Sequence, residues 1–276
     1  MDRRLTPFSG RVALNVLQGR IDAPLTAGEA AQVVVPLADL LAKPGGPRDR
    51  QVLLGDAVTV IDRDQGHCFV QAAKDGYCGW VNEAAVGEAA AGEAGPPSHW
   101  VSAPATHVYP EPRVQARETM ALSLGARLCV TASRGAWAET TLGFVPSGHV
   151  RRLGDWVFDP VAVAESLLGT PYLWGGNSRA GLDCSGLAQI SLHAAGLACP
   201  GDSDMQQALG TAVDEGQPLR RGDLLFWKGH VALVTAPDRL IHANGHSMSV
   251  AEEAIAGTVD RIARQGGGPV IARRRL

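Results

Sequence analysis

The run Pro171 to Gly186, PYLWGGNSRAGLDCSG, most constrains what this chain can fold into. Its four glycines describe a loop with sharp turns and close backbone approach. The next segment, CSGLAQISLHAAG, sets Leu187, Ile190 and Ala194 at helical spacing, with Gly196 as the stop. Cys184 therefore stands at or near a helix N-terminus. There, unpaired backbone N–H groups and the helix dipole favour a thiolate over a thiol. A cysteine is by default a small buried hydrophobe. Cys184 differs in having polar flanks, Asp183 and Ser185, and glycine-rich backbone before it. Asp183 and Ser185 themselves fit two roles, capping the helix or touching a substrate.

A nucleophile needs a base. RRGDLLFWKGHVALVT reads as two short strands joined by a turn at Lys228–Gly229, with His230 opening the second. RLIHAN is a third strand-like run and carries His242, with Asn244 one pleat further along the same face. A helix packed on these strands would assemble a thiol, an imidazole that shuttles the proton, and a group that orients it. His242 is expected in that third role, with Asn244 as the alternative. The other four cysteines, Cys68, Cys78, Cys129 and Cys199, have no comparable context and read as core or surface thiols.

Composition narrows the class. The chain has 276 residues, enough for two or three small domains, with 45% apolar and 19% charged residues as in soluble globular proteins. A net charge of −3 gives no general attraction to nucleic acid or to an anionic membrane. MDRRLTPFSGRVALNVLQGR lacks the apolar core and cleavage site of a signal peptide. A cytoplasmic protein with reduced thiols is the resulting expectation, with export by another route and a Cys68–Cys78 disulfide as the alternatives. An odd cysteine count without paired spacing predicts no metal site, and no cofactor is implied.

Upstream of residue 154 one pattern occurs twice, over Val33–Val86 and Val101–Val150. Each copy opens on Val-x-x-Pro or Val-x-Ala-Pro and carries a proline-interrupted loop. Each ends on Gly-aromatic-Val, at Gly79-Trp80-Val81 and Gly143-Phe144-Val145. Short strands with Gly, Pro and Asp turns at this spacing predict small β-barrels, and the repeat favours two of them. The expected divisions are an extension over 1–30, barrels over 31–90 and 91–153, and a last domain over 154–276. GEAAAGEAGPPSH, residues 87–99, reads as the linker between barrels, and DPVAVAESLLG as the first helix of the last domain. RVALNVLQGRI fits either a strand or a short helix.

Taken together, PYLWGG, LDCSGL, the Gly-Asp-Leu-Leu-Phe-Trp strand, GHVALV and IHAN resemble the NlpC-type cell-wall cysteine peptidases in order and spacing. The similarity is greatest to their γ-D-glutamyl-L-diamino-acid endopeptidase branch, the dipeptidyl-peptidase VI type. Both N-terminal segments resemble bacterial SH3-like domains, the first through RQVLLGDAVTV and DGYCGWV. The fold implied is an α+β papain-like catalytic domain preceded by two small all-β SH3-like barrels.

The resemblance implies Cys184 as nucleophile, His230 as base and His242 as the third member. It places Tyr172 and Trp174 in the lining of the site, the Tyr172 hydroxyl near the developing oxyanion. Asp183 and Ser185 are implied as substrate contacts. Asp202 and Ser203 are implied in a pocket for a free α-amine, although Asp202 or Ser203 also reads as a helix N-cap. Tyr77 takes the place of the barrel tyrosine that helps close this pocket, and Asp56 is a looser second carboxylate. The substrate implied is a murein-derived peptide, L-Ala-γ-D-Glu-diamino acid with a free N-terminus, cut before the diamino acid. An active pair of thiolate Cys184 and imidazolium His230 is expected. Two alternatives stand beside this reading: a generic Cys-His-His amidase or acyl-transfer enzyme without the amine requirement, and a cell-wall binding protein whose peptidase domain is idle.

Overall fold

The computed structural model describes residues 1–88 and 95–276. It divides into two compact units, residues 1–155 and 156–276.

In the first unit, alternating apolar residues build a seven-stranded antiparallel sheet. In spatial order its strands are Arg48–Leu53, Leu37–Leu41, Cys78–Asn82, His67–Ala72, Ala57–Asp64, Glu29–Val33 and Val86–Glu88. Ile61, Phe69, Cys78 and Trp80 fill one core, with the Phe69 and Trp80 rings 5.3 Å apart. The linker expected over 87–99 is shorter than its composition suggests, because Gly87 and Glu88 pair with Gln32 and Ala31 and His99 opens another strand. Its middle, 89–94, lies outside the described residues. The stretch that fitted either a strand or a helix is a two-residue strand, Ala13–Leu14, running into a 3-10 turn, Asn15–Leu17.

The second repeat, by contrast, forms three short antiparallel sheets. It nevertheless ends as the first does. Gly143–Pro146 leads through a 3-10 turn at Ser147–His149 into Val150–Arg152, just as Cys78–Asn82 leads through Glu83–Ala85 into Val86–Glu88. Leu53 and Leu54 of the first repeat share a buried core with Val101, Val108, Leu122, Leu128 and Val145 of the second. All five cysteines are free thiols, and Cys68 and Cys78 face Val81 and Gln71 rather than each other.

The second unit is α+β. Helix α1, Pro160–Ser166, starts with proline in its first turn under an Asp159 cap. Helix α2 spans Cys184–Ala194, and Gly196 follows it in the left-handed region at φ +74°. The short helix α3, Ser203–Gln206, and helix α4, Ile255–Arg264, complete the set. The six-stranded sheet runs Thr211–Ala212, Ala272–Arg275, Leu224–Trp227, His230–Ala236, Arg239–Asn244, Ser249–Ala254. Helix α2 packs on the two central strands that begin at His230 and Arg239. Leu187, Leu192, Phe226, Val231, Leu233 and Ile241 are fully or almost fully buried.

Candidate active site

The glycine-rich run delivers Cys184 to the helix start. Asp183 is the N-cap, with Oδ1 accepting the Gly186 N–H at 2.6 Å and the Ser185 hydroxyl at 3.0 Å. Its Oδ2 accepts the Gly175 N–H at 3.0 Å and so ties the loop to the helix. Gly186 must be glycine, since a Cβ there would lie 2.3 Å from the Gly176 carbonyl oxygen. Of the two roles open to Asp183 and Ser185, the structure shows capping by Asp183, with Ser185 donating to the cap.

The Cys184 sulfur meets the start of the strand His230–Ala236. The Val231 backbone N–H points at it, and the Gly229 carbonyl lies 4.0 Å away. These groups flank His230 on both sides. His230 Nε2 is 2.7 Å from His242 Nδ1, and the two rings meet nearly edge to face. His242 is 0% exposed, and its Nε2 is 3.3 Å from Glu253 Oε1. The structure therefore sets the Cys184 sulfur against the backbone on either side of His230 and pairs His230 with His242. Asn244, the alternative third member, is occupied in the following turn, where its Oδ1 accepts the His246 and Ser247 N–H groups.

Electrostatics here depart from expectation. Burial pushes the Cys184 thiol up to about 12, and the Asp183 charge adds to the shift. The N–H groups of Val231, Ser185 and Cys184 pull the other way without prevailing. Burial likewise pulls His230 down to about 3, helped by His242 and Arg261 and opposed by Glu253. His242 is lowered by burial too, with Glu253 opposing. At both groups burial therefore works against the expected thiolate–imidazolium pair and favours a neutral thiol and neutral imidazoles. Removal from water outweighs the helix terminus.

Tyr172 is half-buried, and its hydroxyl is pushed up to about 12, first by burial and then by its proximity to Cys184 and the Asp183 carboxylate. It stays a protonated donor near the sulfur. Trp174 is 71% exposed and so lies outside the core. The 200–206 segment is anchored to the nucleophile's helix, because Gln206 Nε2 donates to the Ser185 carbonyl at 3.0 Å. Asp202 sits at the α3 N-cap position without capping through its side chain, and Ser203 is buried. A cleft of about 320 Å³ opens beside the histidine pair, with Trp227, Lys228, His246, Arg261 and Gln265 in its lining.

In the first unit, Asp56 is 3% exposed, accepts the Leu53 N–H at 2.9 Å and pairs with Lys74 at 2.7 Å. Tyr77 is buried with the Arg50 guanidinium 5.9 Å from its ring centre. For Asp56 the structure shows a turn-locking contact rather than a free carboxylate.

Sequence reasoning missed Glu253, Arg261 and Thr258. Glu253 Oε2 accepts from Arg261 at 2.6 Å and from Thr258 at 3.0 Å. The signal was present in the register: Glu253 pairs with Leu240, which sets it diagonally across from His242 on the same sheet face.

A helix-borne cysteine facing a strand-borne histidine, with a second histidine behind it, defines a papain-like cysteine peptidase domain. Residues 169–262 match the NlpC/P60 family and residues 40–86 the bacterial dipeptidyl-peptidase Sh3 domain. The chain carries an NlpC/P60 domain, of the cysteine-peptidase type, together with a bacterial dipeptidyl-peptidase Sh3 domain. It is 28% identical over 237 residues to a γ-D-glutamyl-L-lysine dipeptidyl-peptidase from Bacillus cereus, covering 73% of this chain and 69% of that one. A dipeptidyl-peptidase 6 from Lysinibacillus sphaericus is 26% identical over 249 residues, covering 78% and 87%. The crystal structure of an NlpC/P60 family protein from Bacillus cereus shares the fold. Its TM-score is 0.76 at 23% identity, with 90% of this chain and 99% of that one covered.

Proposed function

We propose that this protein is a cysteine endopeptidase that cuts murein peptides between γ-D-Glu and the diamino acid, in the turnover or recycling of cell-wall peptides in the cytoplasm. The observation that carries the reading is the Cys184 thiol at a helix start against the His230–His242 pair. The similarity to a γ-D-glutamyl-L-lysine dipeptidyl-peptidase supports this choice of bond.

In this reading Cys184 attacks the γ-carbonyl while His230 takes the thiol proton through Nδ1. The oxyanion is met by the Cys184 backbone N–H and the Tyr172 hydroxyl. His230 then gives its proton to the leaving amine of the diamino acid, which departs and leaves a thioester on Cys184. Water, losing a proton to His230, attacks the thioester, and the dipeptide acid leaves as the thiol is re-formed. Asp202, with Ser203, takes the free α-amine of L-Ala, because an ammonium in an enclosed site needs a charged partner. The second repeat is assigned as a second SH3-like barrel, supported by its matching strand, 3-10 turn and strand ending.

The test compares L-Ala-γ-D-Glu-diamino acid with its N-acetylated form. Losing an enclosed carboxylate–ammonium pair costs roughly 2–5 kcal/mol. At about 1.4 kcal/mol per tenfold, N-acetylation or Asp202→Asn lowers kcat/KM by about 30-fold to several thousand-fold. The two changes combined cost much less than the product, since they remove one shared contact. Equal rates on both peptides leave only a generic amidase, and turnover of neither peptide by an intact protein leaves the idle-domain reading.

A further inference from the structure

The histidine pair continues into a charged network that the triad does not include. Glu253 holds His242 through Oε1 and the Arg261–Thr258 pair through Oε2. Asn244 Nδ2 also approaches Oε1, at 3.5 Å, and His246 is the other titratable group close to His242. Partial burial pushes the Glu253 carboxyl up, but its hydrogen bonds from Arg261, His242 and Thr258 outweigh this and hold it below the usual range, as a carboxylate. A carboxylate only accepts, so His242 Nε2 carries the proton. A neutral His242 then has a bare Nδ1, which accepts from His230 Nε2–H. The His230 proton being on Nε2, its bare nitrogen is Nδ1, and among the described residues nothing hydrogen-bonds to that atom.

We propose that Glu253, anchored by Arg261 and Thr258, is a positioning residue. It sets the tautomers of His242 and His230 in series, so that the Cys184 proton always finds a lone pair at His230 Nδ1. The same negative charge offsets the imidazolium that forms while His230 holds the proton. This inference rests on the peptidase reading for its kinetic consequence but not for its spectroscopic one.

Glu253→Gln discriminates sharply because glutamine has one acceptor oxygen. The Arg261 cation takes that oxygen, so the amide N–H groups face His242 and demand an acceptor there. His242 must then carry its proton on Nδ1, which moves the His230 proton onto Nδ1, the nitrogen that should be bare. Wrong-tautomer substitutions of this kind lower kcat by about 10²- to 10⁴-fold. Removing the cation in Glu253→Gln/Arg261→Met frees the amide oxygen to face His242 and restores part of the rate. Glu253→Asp keeps the charge and retains more activity than Glu253→Gln.

The experiment is ¹⁵N NMR on the full chain with labelled histidine, paired with kcat and KM on the L-Ala-γ-D-Glu-diamino acid tripeptide. Nε2–H tautomers for His230 and His242 are expected in wild type, and Nδ1–H tautomers in Glu253→Gln. The kcat falls with KM changed by less than about threefold, and the double variant recovers both readouts. Unchanged tautomers in Glu253→Gln, or a double variant no better than the single, overturns the proposal. Should wild type leave the tripeptide uncut while its tautomers switch as described, the substrate assignment falls and the role of Glu253 stands.

Discussion

Two carboxylates, Asp56 buried and Glu253 partly buried, show how differently the two units use charge. Asp56, in the first unit, is closed off: Lys74 and the Leu53 N–H hold it inside a turn. Glu253, in the second, is also held by a cation, Arg261, but passes its influence on through His242 to His230. One cluster satisfies its members. The other, among the described residues, leaves one nitrogen of His230 without a hydrogen bond and the Cys184 thiol with backbone contacts alone. A reactive centre is recognised by this unfinished end, since a buried polar group normally finds its hydrogen bonds.

Substituting the unfinished end should have the largest effect. Cys184→Ala lowers turnover about 10⁴-fold or more while the melting temperature stays near wild type. Steady-state rates and a melting curve on one preparation check it. Truncating the closed cluster should do the reverse. Asp56→Ala strands the Lys74 ammonium, 10% exposed, and costs about 3–5 kcal/mol of stability, measured by urea unfolding. An Asp56→Ala protein as stable as wild type but slow would move that carboxylate into substrate recognition.

Smaller effects sharpen the comparison. Gly186→Ala forces a methyl against the Gly176 carbonyl and should cost about 1–3 kcal/mol, with a displaced helix start and a lower kcat. Catalysis needs neutral His230, and its affinity for a proton is lowered by burial, so the acid limb of kcat/KM falls below the ordinary imidazole value. The thiol is raised, so its ionisation brings no alkaline limb below about pH 9. A thiolate absorbance at neutral pH that disappears in Cys184→Ala would contradict the neutral pair.

Much of the site was legible because its signals are local. The loop-to-helix turn at Cys184, the Lys228–Gly229 hairpin and the Gly196 stop each lie within a few residues of sequence. The 87–99 linker was overdrawn because glycine and alanine hide strand pairing made with residues far away, Ala31 and Gln32. Glu253 escaped for the same reason: its meaning depends on cross-strand register and on a helix that follows it. The upward push of burial on Cys184 was not legible because burial is a property of the packed domain, whereas helix position can be read from the chain.

The most direct measurement is intact mass of the protein quenched during turnover of L-Ala-γ-D-Glu-diamino acid, followed by peptide mapping. The account predicts an L-Ala-D-Glu thioester on the peptide containing Cys184, with free diamino acid released alongside it. An adduct on Cys68, Cys78, Cys129 or Cys199, or turnover that persists in Cys184→Ala, would contradict it.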